Sequence, residues 1–123
     1  MARTGECEVI TYVLASNVIA VREYVDAAGR SSFSKWLRHL NVQAAAKVTT
    51  ALERIAYGNL SNAKPVGAGV LEYRIDFGPG YRIYFGRDGD RLVVLIGGGT
   101  KKRQQADIEA AKAHWAEYNR RRR

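Results

Sequence analysis

Cysteine is nearly missing from this sequence. Cys7 is the sole one among 123 residues, so no intrachain disulfide can form and no cysteine-rich zinc site can be assembled. Histidine is almost as scarce: His39 and His114 are the only two, too few for an ordinary protein-built transition-metal site. No apolar run approaches the length that spans a bilayer, so no membrane association is expected. The opening "MARTGECEVITYVLAS" has one arginine and a short apolar part broken by Thr11 and Tyr12, and a cytoplasmic protein is expected in preference to a secreted one. Several catalytic fingerprints are lacking as well. "GGGTKK" does not have the order of a phosphate-binding P-loop. "VGAGV" leads into a strand where a dinucleotide fingerprint would open a helix, and neither a serine nor Cys7 sits in a hydrolase nucleophile motif.

Positive charge is present in excess. Lys and Arg total 20 against 12 Asp and Glu, a formal charge of +8. Residues 101–123 alone hold 8 basic and 3 acidic groups, concentrated in "TKKRQQ" and the terminal "NRRRR". Such an excess attracts polyanions, with nucleic acid or an acidic protein as the leading partner classes. A solubilising surface with a basic tail accounts for the charge as well. With 46% apolar and 26% charged residues, the composition is that of one globular domain.

Residues 18–25 are β-branched and roughly alternating, which predicts a strand closed by Asp26-Ala27-Ala28-Gly29. Phe33, Trp36, Leu37 and Leu40 follow helical spacing, with Ser31, Ser32 or Ser34 as the cap. Asn41 marks a break before a second helix whose face is Ala44, Val48, Ala51, Leu52 and Ile55, stopped by Gly58-Asn59. Residues 60–69 have the composition of a loop. Val70 to Phe77 alternates, Tyr81 to Phe85 continues the alternation, and Leu92 to Ile96 is a buried strand after the Asp88-Gly89 hairpin signal. Gly97-Gly98-Gly99 then breaks the chain before a last helix ending near Tyr118, with Ile108, Ala111, Trp115 and Tyr118 as its stripe. The predicted fold is α+β: an antiparallel sheet of about four strands, an N-terminal helical hairpin on one face and a C-terminal helix. Residues 1–17 are an extension, 18–118 the domain and 119–123 a basic tail.

The stretch "DFGPGYRIYF" (76–85) places an arginine on a strand just past a Gly-Pro-Gly turn. Pairing Phe77 with Tyr81 sets Asp76 opposite Arg82 and Arg74 opposite Tyr84. Arg74, Arg82, Tyr84, Glu72 and Asp76 then share the solvent-facing side, because a one-residue slip would turn the apolar set out of the core. Lys101, Lys102 and Arg103 follow the adjacent strand and rim the same surface. On spacing alone an Arg82–Asp76 cross-strand ion pair, with Arg74 solvated, comes first, and such pairs contribute about 0.2–1 kcal/mol. The alternative is a phosphate site, since guanidinium groups match phosphate oxygens two at a time. His39 reads as a boundary residue, and nothing places His114 near Arg82.

"VREYVDAAGRSSFSKWL" (21–37), "ALERIAYGN" (51–59), "KPVGAGVLEYRIDFGPGYRIYF" (64–85) and "DIEAAKAHW" (107–115) together resemble the RelE/ParE toxin superfamily over about residues 18–118. The similarity is greatest to its addiction-module killer (HigB-like) proteins. The resemblance implies a toxin held by a cognate helix-turn-helix antitoxin. It also implies an endoribonuclease that cuts messenger RNA, commonly on the ribosome, without a metal or other cofactor. Carried over on the motifs, Arg82 of "GYR", Arg74 and Lys101 are the expected catalytic residues; Tyr84, Lys102 and Arg103 are the expected RNA contacts. This chain departs from the pattern at Thr100, where Asp is expected, and at Arg103, where a small hydroxyl residue is expected. Asp76 replaces a lysine found in some RelE-type nucleases, and no tyrosine occurs between Lys101 and Asp107. Glu72 and Asp76 are the candidates for the general base. The same resemblance admits a ParE-type toxin that poisons DNA gyrase, or a degenerate toxin that only binds its antitoxin.

Overall fold

The computed structural model describes residues 9–10 and 19–122. Of the expected N-terminal extension only the strand β1 (Val9–Ile10) falls within them; the rest of that segment, with Cys7, lies outside the described residues. The other strands are β2 (Ala20–Glu23), β3 (Ala63–Gly67), β4 (Val70–Ile75), β5 (Tyr81–Asp88) and β6 (Leu92–Thr100). The helices are α1 (Ser32–Arg38), α2 (Val42–Ala56) and α3 (Gln104–Arg121), the last entered through a 3-10 turn at Lys101–Arg103.

The two caps explain the helical hairpin. Ser31 accepts a hydrogen bond from the Ser34 amide and starts α1, and Asn41 does the same for the Ala44 amide and starts α2. Gly58, in a left-handed conformation at φ 83°, ends the second helix. The hairpin lays Phe33, Val48, Leu52 and Ile55 on one face of the sheet, against Tyr73, Ile75, Ile83, Phe85 and Leu95. These are the positions that alternation assigns to the core side, and the α+β class, the helical hairpin and the C-terminal helix are all present.

Three features depart from expectation. Among the described residues the sheet has six strands in the order β1-β2-β6-β5-β4-β3, more than the approximately four expected. Strand β3 occupies the supposed loop: Pro65 and Gly67 mask a strand in the sequence, but β3 is an edge strand, where Pro is tolerated. Strand β2 runs parallel to β6, with Val21 opposite Val93. Hairpin connections dictate antiparallel pairing only between chain neighbours, and β2 reaches β6 only after the chain has crossed the sheet through two helices and three strands.

The glycine run is a strand end as well. Gly98 lets the Trp36 ring press onto one face of β6, where a β-carbon would meet it at 2.2 Å. Gly99 admits the Asp107 carboxylate on the other face, where a β-carbon on Gly99 would clash with it. Helix α3 then crosses that second face. Ile108, Ala111 and Trp115 bury Val70, Tyr84, Val94 and Ile96 beneath them. The side of the sheet expected to be polar and open is therefore half covered, and that changes the site.

Candidate functional site

The ladder between β4 and β5 sets Ile75 opposite Tyr81, Arg74 opposite Arg82, Tyr73 opposite Ile83 and Glu72 opposite Tyr84. The expected register, with Phe77 opposite Tyr81, is two residues off. Asp76 does not face Arg82; it lies in the turn, which is closed by the Gly80 amide donating to the Phe77 carbonyl at 3.0 Å. Phe77 stacks on Tyr81, with ring centroids 6.4 Å apart, and this draws it into the connection and out of the ladder. A two-residue shift preserves every side chain's face and changes every partner. The Arg82–Asp76 ion pair is thereby replaced by an Arg82–Glu72 pair, Nε to Oε2 at 3.7 Å.

Glu72 is the hub of this face. It is 1% exposed, and its Oε2 accepts hydrogen bonds from the Tyr84 hydroxyl and from Gln104 Nε2, each at 2.9 Å. Burial, followed by the hydrogen bond to Glu72, pushes the Tyr84 phenol well above its ordinary range. Tyr84 is buried, so it has no ring face open to stack on a base, and the RNA contact expected of it has no surface here. Its hydroxyl belongs to the support of Glu72 instead.

Arg82 was expected in solvent and is 6% exposed. Its Nε and Nη1 are buried and make no hydrogen bond among the described residues. Arg74, directly across the ladder, is exposed. Two like charges placed opposite one another are destabilising unless an anion lies near both. Glu72 supplies part of that compensation from one side.

Lys101 joins the pair through Gly80. The Lys101 amide donates to the Gly80 carbonyl at 3.1 Å. Both Arg82 Nη1 and Lys101 Cβ lie within 4 Å of where a β-carbon on Gly80 would stand. The Gly-Pro-Gly turn thus gathers Arg82 and Lys101 where β4 ends and β5 begins, with Lys102 and Arg103 exposed on the 3-10 turn beyond them. Gln104, which motif reading passed over, ties the start of α3 to Glu72 and so to Arg82. Burial raises the Asp107 carboxyl above its usual range, and Arg103 pulls it the other way. Lys64 was also missed, because β3 was; its register opposite Glu72 puts it on the face that carries Arg74 and Arg82.

The two histidines stay apart from this cluster. His114 Nε2 lies 3.2 Å from Ser32 Oγ, and His39 Nδ1 lies 2.7 Å from the Lys35 carbonyl oxygen. Among the described residues no group of three His, Cys, Asp or Glu side chains is arranged to hold a metal ion, and no helix is long and apolar enough to cross a membrane. What the site offers is fixed positive charge on two rigid strands and an adjoining turn, suited to a phosphate group.

Residues 35–117 match the family model described as Phage derived protein Gp49-like (DUF891). An uncharacterized protein of Haemophilus influenzae is 42% identical over 82 residues, which cover 66% of this chain and 83% of that protein. The chain belongs to the Gp49-like family of phage-derived proteins, a toxin-like family related to addiction-module killers.

Proposed function

We propose that this protein is the toxin of a toxin–antitoxin pair, of the RelE/HigB kind, and that it cleaves messenger RNA with its own side chains. The observation that carries this reading is the buried Arg82 guanidinium, set opposite Arg74 and beside Lys101 with two nitrogens lacking a hydrogen-bond partner among the described residues. A buried cation so placed raises the positive potential at the exposed Arg74 and Lys101 beside it, where a phosphate would sit.

RNA brings its own nucleophile, so the protein need supply only orientation and charge. The 2′-oxygen attacks the adjacent phosphorus and gives its proton to solvent water. The bond from phosphorus to the 5′-oxygen of the next nucleotide breaks and that oxygen takes a proton from water, leaving a 2′,3′-cyclic phosphate and a 5′-hydroxyl end. Arg82, Arg74 and Lys101 stabilise the negative charge that grows on the phosphoryl oxygens, and their fixed positions require little rearrangement during the step. Lys102 and Arg103 hold the flanking backbone. Glu72 is a positioning residue here, since its Oε2 is taken up by Tyr84, Gln104 and Arg82. The cognate antitoxin neutralises the same cations with an acidic or amphipathic segment.

The test is induced expression of wild type and Arg82→Ala without antitoxin, followed by mapping of RNA 5′ ends. New 5′-hydroxyl ends with wild type, lost in the variant, are expected. Growth arrest with intact transcripts and broken DNA would overturn the nuclease reading and favour a gyrase poison.

A further inference from the structure

We infer that the cleft between the start of β3 and strand β4 is a second nucleotide subsite, in which Lys64 holds the phosphate next to the one at Arg82 and Arg74 stands between the two. The inference rests on the nuclease reading above, and it names the substrate's path. The cleft is lined by Ser61, Asn62, Ala63, Lys64, Glu72 and Arg74 and encloses about 240 Å³, room for part of a nucleotide but not for a large ligand.

The register places the cleft relative to the reaction centre. Lys64 stands opposite Glu72, which stands opposite Tyr84; one rung along the strands, Arg74 stands opposite Arg82. These residues share one sheet face, and neighbouring strands are about 4.8 Å apart. A strand of RNA crossing the sheet from β5 to β3 therefore meets Arg82, then Arg74, then Lys64, within about one nucleotide's reach.

The walls are held firmly. The Arg74 amide donates to the Asn62 carbonyl at 3.1 Å, which anchors the entrance to β3 against β4. Asn59 Oδ1 accepts from both the Ser61 amide, at 3.2 Å, and the Ser61 hydroxyl, at 2.9 Å. The Ser61 oxygen keeps its lone pairs for a ribose hydroxyl, and the Asn62 side-chain amide has both a donor and an acceptor for a base or sugar. Two exposed cations beside neutral donors and acceptors suit a sugar-phosphate, whose hydroxyls and base can use the Ser61 and Asn62 groups while its phosphate meets Lys64.

The experiment measures binding of a short single-stranded RNA with 2′-O-methyl groups throughout, which cannot be cut, as a function of KCl concentration. Wild type, Lys64→Ala and Lys35→Ala are compared, the last removing an exposed charge from α1 on the other side of the sheet. Lys64→Ala is expected to weaken binding several-fold and to lower the slope of log K against log salt by about 0.7, the loss of one phosphate contact on a single strand. Lys35→Ala is expected to change neither. Wild-type binding matched by Lys64→Ala in affinity and slope would overturn the subsite while leaving the Arg82 centre intact. No RNA binding by wild type even at low salt would overturn the nuclease reading itself. Weakened binding of an acidic peptide by Lys64→Ala, with RNA binding unchanged, would reassign the cleft to a protein partner.

Discussion

Arg82 is a charged group that the fold holds almost out of water, and Glu72, equally buried, is what makes this tolerable. Each therefore has a structural and a functional consequence that experiment can separate. Arg82→Ala is expected to lower RNA cleavage about 10²–10³-fold, the usual loss for one preorganised group that stabilises developing charge. Arg82→Lys is expected to restore little, because an ammonium cannot reproduce the planar two-point geometry. Single-turnover cleavage of a short RNA reads both. Glu72→Gln leaves Arg82 uncompensated and is expected to lower folding stability by about 3 kcal/mol in urea titrations; were Glu72 the general base, activity would vanish while stability held. Tyr84→Phe removes one hydrogen bond to Glu72 and is expected to cost about 1 kcal/mol with RNA affinity unchanged. The phenol also makes stability depend on pH. Its folded-state pKa lies above the unfolded one, so its contribution is fully present below about pH 10 and is lost as pH rises through the folded value. Wild type should thus weaken more steeply than Tyr84→Phe in alkaline urea titrations. Of these residues, Arg82 and Arg74 were legible from alternation and motif. Their partners were not, since Phe77 packs on Tyr81 inside the turn and moves the ladder by two residues.

At the level of elements, caps and periodicity placed both helices of the hairpin well: Ser31, Asn41 and Gly58 act where their chemistry predicts. Strand β3 stayed hidden because local composition argues for a loop, while its pairing with β4 comes from a turn at Ala68-Gly69, both residues at positive φ. The role of α3 was the larger surprise. Its apolar stripe was visible, but which sheet face it covers depends on contacts made across the chain. Gly86 shows how close that packing is: a β-carbon there would meet the Trp115 ring at 2.5 Å. Gly86→Ala is accordingly expected to destabilise by about 1–3 kcal/mol through overpacking. Trp115→Ala, which empties the second core, is expected to cost about 3–5 kcal/mol. Urea unfolding of both variants checks the pair. A smaller cost for Trp115→Ala than for Gly86→Ala would mean that α3 contributes little to the fold.

On the scale of the whole molecule, the charge of +8 predicts salt-dependent binding to a polyanion. If Arg74, Arg82 and Lys101 together neutralise the scissile phosphate, and Lys102 and Arg103 one flanking phosphate each, log K for single-stranded RNA should fall against log salt with a slope of about −2; engagement of Lys64 on a further phosphate steepens it towards about −3. Not all of the excess charge is free to do this. Helix α3 runs through Arg121, past the end expected at Tyr118, and Arg121 donates to the Val25 carbonyl while its guanidinium lies over the Tyr24 ring. Arg122 Nε lies 3.6 Å from Asp88. The basic C-terminus is thus partly structural. By itself the sequence determined the three helices and four of the strands, the hairpin side facing the core, the poverty of metal ligands and the arginine just beyond the turn, because period, capping and composition are local properties. The tertiary structure alone decided that Arg82 pairs with Glu72 and that Tyr84 lies beneath α3. It alone brought Lys64 to the same face, because register and helix docking depend on distant residues meeting, and no local pattern encodes which ones will.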